Sequence, residues 1–462
     1  MLLIVQIKER LLRPRPKMQR VNQKQIDLQN STPNQDPLFS QKPSILKVVD
    51  EDLCTGCGTC MGICPKKAVI IKKNDLKGVY IPSINQEKCN HCGLCYEVCP
   101  GHSVDFNNLN QFVFGHLPSD IMLGNYLNCY LGYATEYKIR YNSASGGLVT
   151  ALLIYALEKG FIDGALVTRM RKGYPLEPEP FIAYTRDEII SAAKSKYCPV
   201  PANIAIRKIL EGKGKFAVVG LPCHIYGIRK AEMHNKKLKE KIVFHFGLFC
   251  SMGRSFLATE NLLRMLGIPK SDIVALNYRG EGWPGKMTII LKNGQHLFIP
   301  YTEYYKYFGP FTPYRCTLCS DQTAELADLS FGDAWLPELR KKEKSGMSIV
   351  ISRNKSAQYL LKQAISDRKI ELMDFNSKKA IDVIRCDFKK KQLAGRLLVS
   401  RFLGKKLPVF NQKFPKSDFG DLVATIKFYL LRSFTQVNSI RNLYYFLRPK
   451  YHGIHVERTK GF

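Results

Sequence analysis

Residues 54–65 read CTGCGTCMGICP and residues 89–100 read CNHCGLCYEVCP. Both are C-x2-C-x2-C-x3-C-P. Three closely spaced thiolates wrap three irons of one cubane, and the fourth, displaced and followed by proline, points to the other cluster. This spacing assigns Cys54, Cys57, Cys60 and Cys99 to one [4Fe–4S] cluster and Cys89, Cys92, Cys95 and Cys64 to a second. Gly56, Gly58 and Gly93 let the backbone approach the cubanes closely. A pair of zinc sites would have no use for four such cysteines repeated with a trailing proline.

The repeat resembles bacterial-type two-cluster ferredoxin domains. It makes a one-electron relay and does not itself say what is reduced. Thiolate metal sites imply a reducing compartment. The opening MLLIVQIKERLLRPRP lacks the apolar core and cleavage site of a signal peptide. No stretch reaches the roughly 18–20 apolar residues that span a bilayer. The expectation is a cytoplasmic protein.

Around this module the 462-residue chain divides by texture. Residues 1–45, rich in Gln, Asn, Pro and basic residues, suggest a disordered leader. Residues 46–108 form the ferredoxin-like domain. Residues 130–375 alternate apolar runs with helical patterns, which points to a mixed α/β domain with parts at about 130–212 and 213–375. KFAVVGLPC (215–223) reads as a buried strand entering a loop, and KIVFHFGLFC (241–250) as a second buried strand. Residues 376–462 form a basic, partly helical extension. The fold class is therefore α+β / α/β: a small two-cluster ferredoxin-like domain followed by a mixed α/β domain.

The formal net charge is +31, and residues 389–462 hold 16 Lys/Arg against 3 Asp/Glu. Such a field favours an acidic electron-carrier protein, a phosphate-bearing cofactor or an anionic surface. No nucleic-acid-binding signature is present. The amphipathic IKFYLLRSFTQVNSIRNLYYFLRPK (426–450) suggests peripheral contact with the inner membrane face.

Seven cysteines lie outside the repeat. Cys223 and Cys250 end the two buried runs, and Cys316 and Cys319 form a lone C-x-x-C. Strand ends on one sheet edge are where distant residues converge. These four suffice for a third [4Fe–4S] cluster or a structural zinc.

Four segments in order resemble the family of coenzyme F420 hydrogenase/dehydrogenase beta subunits. They are SASGGLVTALLIYALEKGFIDGALV (143–167), VVGLPCHIYGIRK (218–230), FGLFCSMGRS (246–255) with YRGEGWPGKMTI (278–289), and RCTLCSDQTAELADLSFGDAW (315–335). The resemblance implies FAD and a [4Fe–4S] cluster on Cys223, Cys250, Cys316 and Cys319. Cys129, Cys198 and Cys386 stay unassigned. It also implies that Ser143, Ser145, Gly146, Gly147, Thr150, Lys196 and Tyr197 lie near the flavin. A Ser/Gly turn opening a helix does offer bare N–H groups to an anion.

Other residues carry weaker readings. His224 reads as a structural residue, with a proton carrier as the alternative, Trp283 as a residue that packs on a ring, and Arg279 as a partner for a phosphate or carboxylate. Asp321, Asp328 and Asp333 are expected to orient the cluster loop through backbone N–H groups.

The expected activity is that of an iron–sulfur flavoprotein oxidoreductase. Electrons would pass among a carrier such as ferredoxin or a redox complex, the clusters, FAD and a small organic substrate, with coenzyme F420 as one candidate. The alternative is a non-enzymatic iron–sulfur protein that transfers electrons, senses redox state or scaffolds an assembly.

Overall fold

A computed structural model of the chain describes residues 42–412, 414–436 and 454–460. The expected leader falls outside the described residues up to residue 41, and so does the amphipathic stretch beyond residue 436.

The cysteine-rich part begins with a helix at Ile45–Asp50, capped by the Ser44 side chain. A hairpin follows, β1 (Val69–Asn74) and β2 (Val79–Ile84), antiparallel. Next come β3 (Ser103–Val104) and the helix Phe106–Phe114.

The body is an eight-stranded sheet. Its strands are β4 (Asn128–Ala134), β5 (Gly164–Arg171), β6 (Tyr174–Ala183), β7 (Phe216–Gly220) and β8 (Ile242–Leu248), and three strands from later in the chain. A separate small sheet takes β9 (Ile273–Asn277), β10 (Lys286–Leu291) and β11 (Gln295–Pro300). The eight-stranded sheet is completed by β12 (Leu329–Asp333), β13 (Ser348–Ser352) and β14 (Ile370–Asp374), giving the spatial order β14-β4-β13-β12-β8-β7-β5-β6. Its centre is parallel: β12 on β8, β8 on β7, and β7 on β5. The flanking pairs are antiparallel. This is the mixed sheet expected from the alternating runs. The last strands are β15 (Val409–Phe410), paired with β3, and β16 (Glu457–Lys460), paired with β11.

Both faces of the sheet are covered, which is why its central strands are mostly apolar, with His245 of β8 a buried exception. Ala165 and Val167 pack in the core with Leu152 and Ile154 of the helix Leu148–Glu158. Leu166, between them, packs on the other face with Ile206, Ile209 and Ile228. Ile63 and Val98 of the cysteine-rich part join this second cluster, so that part shares a core with the body.

One local expectation is corrected. Cys223 lies in no loop: Pro222 opens the helix Pro222–His234 immediately after β7. Proline is suited to a first helical position, because its missing N–H has no partner there anyway.

The basic C-terminal region is also more integrated than composition suggests. Lys389, Lys390 and Arg396 of the helix Cys386–Phe402 are buried. Lys390 donates to the Ile121 carbonyl and Arg396 to that of Thr317. Part of the positive charge thus holds the fold together. Among the described residues no helix is long and apolar enough to cross a membrane.

Candidate functional site

All fifteen cysteines are free. Twelve gather into three quartets, seen in whose charge raises whose thiol pKa. Burial pushes the Cys54 thiol far up, with Cys99 and Cys57 adding to it. Cys60 is raised by burial and then by Cys57, Cys54 and Cys99. Cys95 is raised by burial and then by Cys92, Cys64 and Cys89. Cys223 is raised by burial and then by Cys57, Cys316, Cys250 and Cys319. Burial pushes Cys250 up to about 12, with Cys316 and Cys319 also raising it.

The quartets are therefore distal (Cys64, Cys89, Cys92, Cys95), middle (Cys54, Cys57, Cys60, Cys99) and inner (Cys223, Cys250, Cys316, Cys319). They form a chain, since Cys95 acts on Cys60 and Cys57 acts on Cys223. Cys92, in the distal quartet, is exposed.

Thiols raised in this way stay protonated by themselves; an iron–sulfur core would take them as thiolates, its positive irons offsetting the repulsion that raises them. Backbone N–H groups already face the sulfurs. Gly56 donates to Cys54 Sγ at 3.4 Å, Ala68 to Cys64 Sγ at 3.4 Å and Gly101 to Cys99 Sγ at 3.3 Å. At the inner quartet a Cβ on Gly253 would stand 2.9 Å from Cys316 Sγ, so only glycine fits without a shift. This donor chemistry fits iron–sulfur clusters.

Buried polar contacts seat the cysteine-rich part on the body. Asn203 N donates to the Cys57 carbonyl at 2.9 Å, and its side-chain nitrogen donates to Thr59 Oγ1 at 2.8 Å. Arg315, beside Cys316, donates to the Gly101 carbonyl at 2.6 Å, the Pro100 carbonyl at 3.1 Å and the Leu318 carbonyl at 3.1 Å. One guanidinium thereby ties the second cysteine run to the inner quartet loop.

Beside the inner quartet lies a cavity of 420 Å³ at the C-terminal ends of β7, β8 and β12 and the middle of β5, with Cys250 on its wall. That volume falls within the roughly 300–1,000 Å³ of cofactor clefts. Ser143, Ser145, Gly147, Thr150, Lys196 and Tyr197 line it. Gly146 instead packs against the sheet, where a Cβ would stand 2.6 Å from the Gly132 carbonyl oxygen. Gly147, at φ +77°, turns the chain into the helix Leu148–Glu158, whose first turn faces the cavity. Those first N–H groups and the helix dipole suit an anionic group. The site thus fits a phosphate-bearing cofactor.

Lys196 is not free to reach such a ligand. Its ammonium donates to the carbonyls of Ala192, Ala193 and Lys194 at 2.5, 2.7 and 3.0 Å. Burial pulls its pKa down to about 7. Tyr197 joins an aromatic wall: its ring lies 4.8 Å from Tyr305, Tyr301 stacks 4.9 Å from Tyr305, and Tyr301 stacks 5.7 Å from Trp335.

The other singled-out residues mostly serve structure. His224 accepts from Leu221 N and donates to the Val200 carbonyl at 2.9 Å, and burial lowers its pKa to about 4. Arg279 pairs with a carboxylate, Asp333, at 2.7 Å, and Trp283 donates to the same group at 3.0 Å. Asp333 therefore answers a buried cation rather than the cluster loop. Asp328 lies among Arg229, His245 and Asn354. Asp321 does hold the loop, accepting from Thr323 N at 2.7 Å and Glu325 N at 2.9 Å.

Sequence reasoning missed Arg254, Tyr301, Tyr305 and Trp335 on the cavity wall. The i,i+4 aromatic pair in YTEYYKY was the available signal for the tyrosines. Arg254 Nη1 donates to Thr312 Oγ1 at 2.6 Å, and its buried Nε finds no hydrogen-bond partner among the described residues.

A cysteine-rich module seated on a mixed α/β sheet beside a cofactor-sized cavity is the build of an iron–sulfur oxidoreductase. Comparison with known proteins gives the family. A profile of the C-terminal part of the coenzyme F420 hydrogenase/dehydrogenase beta subunit matches residues 213–378, and a profile of the N-terminal part of the same family matches residues 129–207. A "4Fe-4S dicluster domain" profile matches residues 42–103.

The chain is 31% identical over 256 residues to the coenzyme F420 hydrogenase subunit beta of Methanothermobacter thermautotrophicus, covering 53% of this chain and 83% of the relative. It is 28% identical to its counterpart from Methanosarcina barkeri, covering 58% of this chain and 88% of the relative. The coenzyme F420-dependent sulfite reductase of Methanocaldococcus jannaschii is 28% identical, covering 70% of this chain and 49% of the relative. A chain of the F420-reducing [NiFe] hydrogenase complex from Methanosarcina barkeri superposes with a TM-score of 0.48 at 24% identity, covering 62% of this chain and 97% of that one. The chain belongs to the coenzyme F420 hydrogenase/dehydrogenase beta subunit family and carries a 4Fe–4S dicluster domain ahead of it.

Proposed function

We propose that this chain is an iron–sulfur flavoprotein oxidoreductase in which three [4Fe–4S] clusters connect a protein carrier to FAD. The observation that carries this reading is the continuity from exposed Cys92 through the three quartets to Cys250 on the cavity wall. The distal and middle quartets hold the dicluster pair, and the inner quartet holds the third cluster.

FAD supplies the exchange between single electrons and a hydride. The residues around it bind and orient. The start of the helix Leu148–Glu158 and Arg254, which line the cavity, would hold its phosphates. Tyr301, Tyr305 and Trp335 flank a planar ring and exclude water. Lys196 fixes the turn Ala192–Lys194 that closes the wall.

The organic substrate enters the same cavity. Relatives named as coenzyme F420 enzymes make that coenzyme the first substrate to try. The protein partner is a one-electron carrier such as ferredoxin, or a larger redox complex of the kind its relatives are named for. Membrane contact through the basic C-terminal region is a subsidiary reading, tested by flotation of the full chain with anionic and with neutral liposomes; equal partitioning would sink it.

Anaerobic purification followed by acid release tests the flavin directly. About one FAD per chain is expected, and its absence would overturn the reading.

A further inference from the structure

Each quartet has a cation seated on the backbone carbonyl of one of its own cysteines. Arg207 donates to the Cys64 carbonyl at 2.5 Å in the distal quartet. Lys230 donates to the Cys99 carbonyl at 2.9 Å and the Ser103 carbonyl at 3.0 Å in the middle one. Lys389 donates to the Cys250 carbonyl at 2.9 Å and the Asp321 carbonyl at 2.6 Å in the inner one.

Their settings differ. Arg207 and Lys230 are half-buried, whereas Lys389 is 6% exposed. Arg315, 4% exposed, adds a charge between the middle and inner quartets, and the charge of Arg254 also acts on Cys250. Carbonyls carry no net charge, so these cations are not neutralised by their hydrogen-bond partners, although Glu97 and Asp105 also act on Lys230. The acids beside the inner quartet, Asp321 and Glu325, are answered by Arg353 and Lys390.

A cubane on four thiolates is anionic, and reduction adds one more negative charge. A fixed cation therefore favours the reduced state, more strongly where water is excluded. Solvent and Arg207 at the distal quartet also favour its reduced state, so an inward bias requires the buried cations of the inner quartet to outweigh them.

We propose that Lys230 and Lys389 bias the relay inward, so that electrons entering near exposed Cys92 come to rest at the inner quartet. The chain then works as a reductase of the substrate in its cavity. This inference rests on reading the quartets as clusters and the cavity as a flavin site. Two low-potential one-electron carrier proteins are each oxidised by one electron. Two electrons and two protons are taken up per flavin, and a hydride and a proton then reduce one molecule of organic acceptor.

Potentiometric titration of the full-length holoprotein, followed by electron paramagnetic resonance, reads each cluster separately. In the wild type the inner cluster should reduce first. Lys389→Met should shift the inner cluster to lower potential, Lys389→Arg should leave it in place, and Lys230→Met should lower the middle cluster alone. Iron per chain, measured alongside, separates a shifted cluster from a lost one. If Lys389→Met loses iron, the wild-type order and the Lys230→Met shift decide. An inner cluster that reduces last, or Met variants with full iron and unmoved potentials, would overturn the proposal. A preparation without flavin would sink the functional reading, while the Lys230→Met shift would still stand or fall by itself.

Discussion

A Cβ on Gly227 would stand 2.1 Å from the hydroxyl oxygen of Thr59. Gly227 is one turn after Cys223, and Thr59 lies between Cys57 and Cys60, so this close approach brings the middle and inner quartets together. Gly227→Ala should force the two parts of the chain apart at this seam. The expected cost is about 1–3 kcal/mol, as for other overpacked sites. Denaturant unfolding of the holoprotein measures it, and electron transfer between the two quartets should slow in parallel.

Arg315 is a second tie across the seam. Replacing it with Met would leave the carbonyls of Gly101, Pro100 and Leu318 without their shared donor. Each buried orphan costs about 1–3 kcal/mol, so a loss of about 3 kcal/mol or more is expected in the same unfolding experiment. Arg315→Lys should recover only part, because an ammonium cannot match the planar fork.

Arg254 supplies the cavity with a cation whose Nε has no hydrogen-bond partner among the described residues. Arg254→Met should weaken flavin retention by about tenfold or more, the equivalent of one charge-assisted hydrogen bond. Flavin per chain after gel filtration at rising salt checks this. Equal retention would show that Arg254 does not meet the phosphates.

His245, buried on β8, sits between Glu232 at 2.7 Å and Asp328 at 3.0 Å. Burial and Arg229 push its pKa down, but Glu232 and Asp328 outweigh them and hold it above its ordinary value. A base with a raised folded pKa contributes stability that is complete below its unfolded value of about 6.5 and is lost as pH rises through the folded value. The melting temperature should therefore fall as pH rises above neutrality. In His245→Gln that dependence should flatten, whatever the variant's absolute stability.

The cysteine quartets are legible as candidates because cluster chemistry needs one residue type at fixed spacing, and the mostly apolar runs of β7 and β8 are legible because both sheet faces are covered. Cys223 sits in a helix because Pro222 acts as a helix opener, a role that the same Leu-Pro-Cys string shares with loops. The aromatic wall of Tyr301, Tyr305 and Trp335 was hidden for a different reason: aromatic residues pack in every core, and only the fold shows which ones border a cavity. Lys389, Lys390 and Arg396 read as part of a basic surface, since composition carries no direction. Burial turns them inward, onto carbonyls of the cluster loop and its neighbours.

The central claim is that Cys223, Cys250, Cys316 and Cys319 hold a third cluster between the dicluster pair and the cavity. Iron per chain in anaerobically purified wild type and in the Cys316→Ser/Cys319→Ser double variant tests it most directly. With four irons per cubane, about twelve are expected in the wild type and about eight in the variant, with the flavin still bound. About eight irons in both would contradict the claim.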